Sequence, residues 1–438
     1  MSGTLSEALL CLLLFFISVL TVVAWAVITK STYKVLALAV AATAAKLLLI
    51  LANEINRILP FKPDAEIYFK FGLELSRADD WSIIIPIYAG KGVNSLGVAA
   101  YGVANATFIR LLGESKLYMP ILNTTVYSCV ILVFLKYLDT LSRKNGLGLS
   151  VRRRALFFGA LLAFVYPAAL SNTVINLRET IIALGFLLFV GELLRYKISA
   201  LRHPVIYIGA ALVILIRPIA IVVLFVSLAL AVLIFQVRYK WPILIGSALS
   251  VLLGFTIFGK ALLSRFSTEV ILASVSERAE SAAEAFPLDT HYQSLAALLF
   301  QMPERVFYFL FYPFPWVASS YKFLIPTVDA LFNFALFGGA GILLFMLRSA
   351  QNGSESLSWL MRIFIFLFLV CGVGVSFYSL GEPQFGGAIR HRFPFILPLL
   401  LCLPLVYEQL AALRVERKRG RLFYLQNKAN QARELQPW

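Results

Sequence analysis

Pro63-Asp64-Ala65-Glu66-Ile67-Tyr68 sets two carboxylates two residues apart, just after an apolar stretch. Residues two apart on a helix diverge by about 200°, so Asp64 and Glu66 would serve different partners. A carboxylate shielded by apolar loops can act as general base on a hydroxyl. Asp64 can equally cap a short interfacial helix running on through Leu75. Further along, Asn172 and Asn176 precede Arg178-Glu179 at the start of another apolar run. Glu179 suits the positive end of a helix dipole and Arg178 does not. A bound phosphate would give Arg178 a reason to be there; ordinary snorkelling to the interface is the plainer reading. Arg217-Pro218 interrupts a long apolar stretch. An ionisable residue at that depth is a functional candidate, although an internal partner such as Glu179 would also satisfy it.

Two more segments stand out. In Phe309-Leu310-Phe311-Tyr312-Pro313-Phe314-Pro315-Trp316 the two prolines forbid a regular spanning helix. Phe311, Phe314 and Trp316 would form either an interfacial aromatic anchor or the wall of a groove for a lipid chain. Gly381 to Pro394 runs from a Gly-rich turn through Glu382 into Arg390-His391-Arg392 and then the last apolar run. The planar fork of arginine matches phosphate oxygens, so clustered arginines can clamp a pyrophosphate. The alternative is a group of bases marking a helix end.

These residues need elements to hold them, and the composition says which. The chain has 438 residues, 60% hydrophobic and only 14% charged. Soluble domains carry about 45–50% apolar and about 25% charged residues, so a water-covered globule is excluded. The expected fold is an all-α polytopic membrane protein with about eleven transmembrane helices, at about 20 apolar residues each. The candidate spans are 8–29, 35–52, 118–138, 155–171, 180–194, 204–216, 218–236, 241–259, 327–347, 361–380 and 393–411. Pro218 splits the sixth from the seventh and makes Arg217 a hairpin tip. The first span has no basic residue ahead of it and reads as a retained helix, not a cleaved signal. Cys11, Cys129, Cys371 and Cys402 lie in apolar runs and read as small buried hydrophobes. No repeat of 20–50 residues is visible, which counts against a symmetric transporter.

Basic loops orient the bundle. Arg143, Lys144 and Arg152 to Arg154, together with the tail 414–438, belong on the cytoplasmic side. Residues 1–413 then form a single transmembrane domain. Loops 53–117, 171–179, 260–326 and 381–392 and the Arg217 tip share the outer face. The formal net charge of +16 falls on the cytoplasmic segments, while the outer segments carry acids and bases in balance. The charge is therefore an orientation signal and a contact with anionic membrane lipid, not a sign of nucleic acid.

The order of these motifs resembles bacterial polytopic proteins of polysaccharide-biosynthesis clusters, related to the GT-C glycosyltransferase superfamily. The motifs are Asp64 with Tyr68, Asn172 with Arg178 and Glu179, Arg217-Pro218, Pro313 to Trp316, and Ala388-Ile389-Arg390-His391-Arg392-Phe393-Pro394. The resemblance implies GT-C-like outer-face loops with interfacial helices, and sugar transfer from a polyprenyl phosphate or diphosphate on the non-cytoplasmic side. It implies a catalytic acid in the first outer loop, with Asp64 matching and Glu66 the fallback. Many relatives pair their acids after the first span; here Ala65 separates them and they follow the second.

The expected function is a membrane glycosyltransferase acting in surface-polysaccharide assembly or polymerisation in the bacterial inner membrane. Asp64 and Glu66 are the catalytic candidates. Tyr68, Asn172, Asn176, Arg178, Glu179, Arg217, Arg390, His391 and Arg392 are the candidates for substrate and phosphate. The partners expected are a polyprenyl-linked sugar or oligosaccharide, anionic lipid and other polysaccharide-assembly membrane proteins. No cofactor is expected; Asp64, Glu66 and Glu382 offer oxygens to a divalent metal, but no motif demands one. A flippase or exporter of lipid-linked sugars and a non-catalytic subunit of an export complex are the rival readings.

Overall fold

Backbone polar groups find no partner in hydrocarbon, so apolar runs of this length must satisfy themselves as helices. The computed structural model describes residues 2–56, 59, 63–78, 93–235, 286–288, 294–317, 323–350 and 355–434, and every regular element among them is helical. In chain order these are α1 (Ser2–Ile28), α2 (Tyr33–Asn56), α3 (Pro63–Arg77), α4 (Val93–Leu112), α5 (Tyr118–Lys144), α6 (Leu149–Val165), α7 (Pro167–Thr173) and α8 (Glu179–Tyr196). There follow α9 (Pro204–Ile216), α10 (Ile221–Ile234), α11 (Leu295–Phe300), α12 (Met302–Phe311), α13 (Leu324–Ala350), α14 (Glu355–Gly381) and α15 (Phe385–Glu434).

Among the described residues six helices are long and apolar enough to cross a membrane: Leu9–Ile28, Tyr33–Asn56, Tyr118–Lys144, Leu324–Ala350, Leu357–Gly381 and Phe385–Glu416. The bent pair α6–α7 makes a seventh if counted as one span. The chain is thus an all-helical, multi-pass membrane protein. Six of the expected spans coincide with these helices, and 155–171 coincides with the bent pair. The expected 180–194 is α8, which carries Glu179, Glu192 and Arg195 and has 18 residues. The expected 204–216 and 218–236 form α9 and α10, of 13 and 14 residues. At 1.5 Å per residue each covers about 20 Å, short of a bilayer core of about 30 Å. The expected span 241–259 and most of loop 260–326 lie outside the described residues.

Packing follows small residues and prolines. At the α8–α9 crossing, a Cβ on Gly185 would lie 2.6 Å from the Gly209 carbonyl oxygen, and the reverse holds for Gly209. Only glycine lets the two backbones come that close. Lys46 is buried on α2, its Nζ 4.1 Å from the centre of the Tyr127 ring, a cation–π contact in place of an ion pair.

Pro167 cannot continue α6, so the chain bends by 57° between α6 and α7. The break frees backbone N–H groups at the start of α7. The Ala168 N–H donates to Asp329 Oδ1 at 2.9 Å, so α13 caps α7. Asp329 is fully buried and forms an ion pair with Arg392 of α15, whose Nε donates to Asp329 Oδ2 at 3.1 Å. Arg392 also donates to the Phe309 carbonyl near the end of α12. Asn333 donates to Asp329 Oδ2 at 3.2 Å and accepts from the Tyr166 hydroxyl at 3.3 Å.

This cluster corrects the expectation for Arg392. Its side chain has zero exposure, and its donors are committed to Asp329 and Phe309, so it is a buried strut and not a phosphate ligand. Breaking a buried pair by removing one partner costs about 3–5 kcal/mol, whereas replacing both with apolar groups can be neutral. Arg392→Met should therefore sharply lower the thermal midpoint of the detergent-solubilised protein. The double variant Asp329→Leu/Arg392→Met should regain much of that loss, as read by unfolding monitored through size-exclusion.

Candidate functional site

The segment after α2 is amphipathic enough to lie as α3, with Pro63 fitting the helix start and Asp64 and Glu66 in the first turn. Asp64 lies inside that turn and not at the capping position. The two acids diverge as their spacing demands. Asp64, its side chain 38% exposed, pairs with the largely buried Arg390 of α15. Glu66, its side chain 32% exposed, pairs instead with Lys116 at 3.0 Å.

One turn further along α3, Tyr68 is buried and lies beneath Arg178, whose guanidinium carbon is 5.7 Å from the ring centre. Burial, against the pull of Arg178, pushes the Tyr68 phenol up to about 12, so it stays a neutral hydrogen-bond donor at physiological pH. Arg178 occupies the capping position of α8 and Glu179 its first turn. Glu179 Oε1 accepts from Arg217 Nη2 at 3.0 Å, and both side chains are buried. Arg217 is not an exposed hairpin tip. It sits in the break between α9 and a short 3-10 turn, Pro218–Ala220. Its guanidinium carbon is 5.3 Å from the centre of the Tyr378 ring on α14. Tyr378 in turn lies 5.3 Å from His391, and His391 Nδ1 is 3.2 Å from Glu382 Oε2. With Arg390 the circuit returns to Asp64.

A ring of side chains from α3, α8, the Arg217 break, α14 and α15 therefore closes around one end of the molecule. α4 and α5 hold it from behind. Tyr101 donates to the Leu177 carbonyl at 3.1 Å, Asn123 donates to that carbonyl at 2.8 Å, and Asn176 donates to Asn105 Oδ1 at 2.9 Å. A Cβ on Gly97 would overlap the Ile216 carbonyl and lie 2.7 Å from Arg178 Nη1, so glycine is what lets α4 approach.

Of the expected site residues, the ring gathers Asp64, Tyr68, Arg178, Glu179, Arg217, Arg390 and His391. Asn176 borders it through Asn105, and Asn172 donates to the Ala168 carbonyl at 2.8 Å. Glu66 and Arg392 lie elsewhere. The three consecutive bases Arg390, His391 and Arg392 do not act as one clamp, because α15 already begins at Phe385. Neighbours on a helix point about 100° apart, and these three reach Asp64, Glu382 and Asp329 respectively. Among the described residues no three His, Cys, Asp or Glu side chains converge as metal ligands; Asp64, Glu66 and Glu382 each face a different partner, Arg390, Lys116 and His391.

Several polar atoms of this region are buried without a hydrogen-bond partner: Asn172 Oδ1, Asn176 Oδ1, Arg178 Nε, Glu179 Oε2, Arg217 Nε and Arg390 Nε. Buried polar atoms are nearly always paired, so the ring holds unused hydrogen-bonding capacity. Among the described residues Arg178 makes no ion pair.

Phe311, Phe314 and Trp316 form an aromatic knot. Trp316 is 81% exposed and stacks on Phe314 with ring centres 5.0 Å apart, and Phe311 packs on Phe334. A deeper apolar cavity of about 500 Å³ lies between α1, α5 and α8, lined by Leu14, Trp25, Phe108, Tyr118, Ile121 and Leu188 among others. Ile121 of its lining also belongs to the apolar cluster that holds Tyr68 and Tyr101. Residue type alone did not single out Tyr101, Asn105, Asn123 or Tyr378; of these, Asn105 and Asn123 carried a signal as amides within apolar helices.

Comparisons with family models, curated proteins and solved structures find no match for this chain.

Arg217→Met strands the Glu179 carboxylate and should destabilise the protein by about 3–5 kcal/mol. Arg178→Met breaks no ion pair and should leave the thermal midpoint close to that of the parent. Thermal unfolding in detergent distinguishes them; equal losses would show that Arg178 is a structural residue like its neighbour.

Proposed function

We propose that the chain is a membrane glycosyltransferase of the GT-C type, taking its sugar from a polyprenyl-phosphate or polyprenyl-diphosphate carrier. It would act at the outer face of the bacterial cytoplasmic membrane, in surface-polysaccharide assembly or polymerisation. The observation that carries this reading is the ring, in which the Asp64 carboxylate meets Arg390 beside arginines whose donors are not all used.

Glycosyl transfer develops positive charge at the anomeric carbon and negative charge on the departing phosphate. In the proposed step the acceptor hydroxyl oxygen bonds to the anomeric carbon as the bond from that carbon to the phosphate oxygen breaks. Asp64 takes the hydroxyl proton. Arg178 receives the phosphate charge first, having no carboxylate to release, while Arg217 and Arg390 shift part of their bonding from Glu179 and Asp64. The neutral Tyr68 hydroxyl adds a donor. Asn172 and Asn176 have unpaired carbonyl oxygens that suit sugar hydroxyls. The apolar cavity beside Ile121 and the knot at Phe314 and Trp316 offer surfaces for a hydrocarbon chain. Glu66, paired with Lys116, is the weaker candidate for the base.

In a glycan-assembly assay with a polyprenyl-linked donor, Asp64→Asn should lose at least ~100-fold in turnover, the lower range of general-base catalysis. Glu66→Gln should stay near the parent, and Arg178→Met should lose activity while remaining folded. Full turnover by Asp64→Asn would remove the base. Proteoliposomes that move the carrier across the bilayer yet never lengthen a glycan would replace the enzyme with a flippase.

A further inference from the structure

At the end of the molecule opposite the ring, α15 does not stop with its span. The apolar span closes at Glu416, yet the helix continues to Glu434. Eighteen further residues at 1.5 Å each would carry it about 27 Å beyond the hydrocarbon. That extension opens with Arg414, Arg417, Lys418, Arg419 and Arg421 against one acid, Glu416. Helical register brings positions 414, 417, 418, 421 and 425 onto one stripe. Immediately after the bases come Leu422, Phe423, Tyr424 and Leu425, which are 65%, 66%, 66% and 51% exposed. Four consecutive large apolar or aromatic side chains open to water form a patch that calls for a cover. Gly420, a weak helix former, separates the first four bases from these residues.

We propose that residues 414–425 form a binding surface for anionic phospholipid, lying against the leaflet at the end opposite the ring. The charge selects the occupant: clustered bases directly after a span attract acidic headgroups, and the attraction falls off within a Debye length. The apolar residues select its depth, since Leu422, Phe423 and Leu425 gain by entering the boundary between headgroup and acyl chain. α15 runs unbroken through Gly420, and a bend proposed at this weak helix former brings both to the membrane together. An acidic protein would satisfy the bases but would not require the patch to begin at the interface. This inference is independent of the glycosyltransferase reading.

The test uses the full chain carrying Phe423→Cys, labelled with an environment-sensitive fluorophore. Cys11, Cys129, Cys371 and Cys402 all lie within spans and resist a water-borne label. In nanodiscs of phosphatidylcholine containing phosphatidylglycerol the emission should shift to the blue, and high salt should reverse the shift. Pure phosphatidylcholine should show no shift. Replacing Arg417, Lys418, Arg419 and Arg421 with glutamine should abolish it in the anionic discs, without change in elution volume. Equal emission in both lipids overturns the proposal, as does a shift that survives the glutamine variant. A shift seen only in native membranes, and absent from purified anionic discs, would overturn it in favour of a protein partner.

Discussion

The end of this protein that carries the ring depends on one buried carboxylate. Asp329 caps the helix that Pro167 forces to restart, and Arg392 neutralises it. Each would be costly alone in a medium of low dielectric. Together, with Asn333 and the Phe309 carbonyl, they join α7, α12, α13 and α15 at a single point. Arg390 and His391 precede Arg392 by two residues and one. Once Arg392 is pinned to Asp329, the helical turn aims Arg390 at α3 and His391 at Glu382. The strut is not part of the ring, but it sets the angle from which α15 enters it.

The ion pairs divide the molecule into two layers. Among the described residues, Arg152–Asp139 and Arg154–Glu408 join segments assigned to the inner side, while Arg217–Glu179, Arg390–Asp64 and Lys116–Glu66 join segments assigned to the outer side. No pair crosses between the two sets. At the inner end the pairing serves packing, as where Tyr137 donates to Glu192 at 2.8 Å. The outer ring is different, because its acids and bases leave several polar atoms unpartnered in a buried setting. Unused hydrogen-bonding capacity at that depth is costly to keep. Binding of a polar ligand there would recover the cost.

The sequence was informative where charge interrupted apolar runs. Six long spans and the separate partners of Asp64 and Glu66 followed from spacing, and Glu179 was legible as the internal alternative for Arg217 from the cost of an unpaired charge. Asp329 escaped notice because it sits in the apolar run 327–347, which reads as an ordinary span whatever single residue it carries. Arg390-His391-Arg392 read as a clamp because Gly386 and Gly387 suggested a turn, when the helix had in fact begun at Phe385. Tyr101 and Tyr378 were invisible for another reason. Their roles come from the helices they face, and nothing local to either residue reports that.

A net charge of +16 on so apolar a chain is tolerable only because of where it is left unbalanced. Inside the ring, every excess charge would face a low-dielectric surround, so each arginine has a carboxylate within its circuit, and Arg178 has Glu179 beside it. Beyond Glu416, Lys418 and Arg419 are exposed, and self-repulsion there is screened within about 8 Å at physiological ionic strength. The same residue type thus answers to two different constraints at the two ends of α15. In the ring, Arg217 and Arg390 are each matched by a carboxylate, while Arg178 makes no ion pair among the described residues. In the extension an arginine need not be matched by the protein at all, because mobile ions or acidic headgroups can supply the counter-charge.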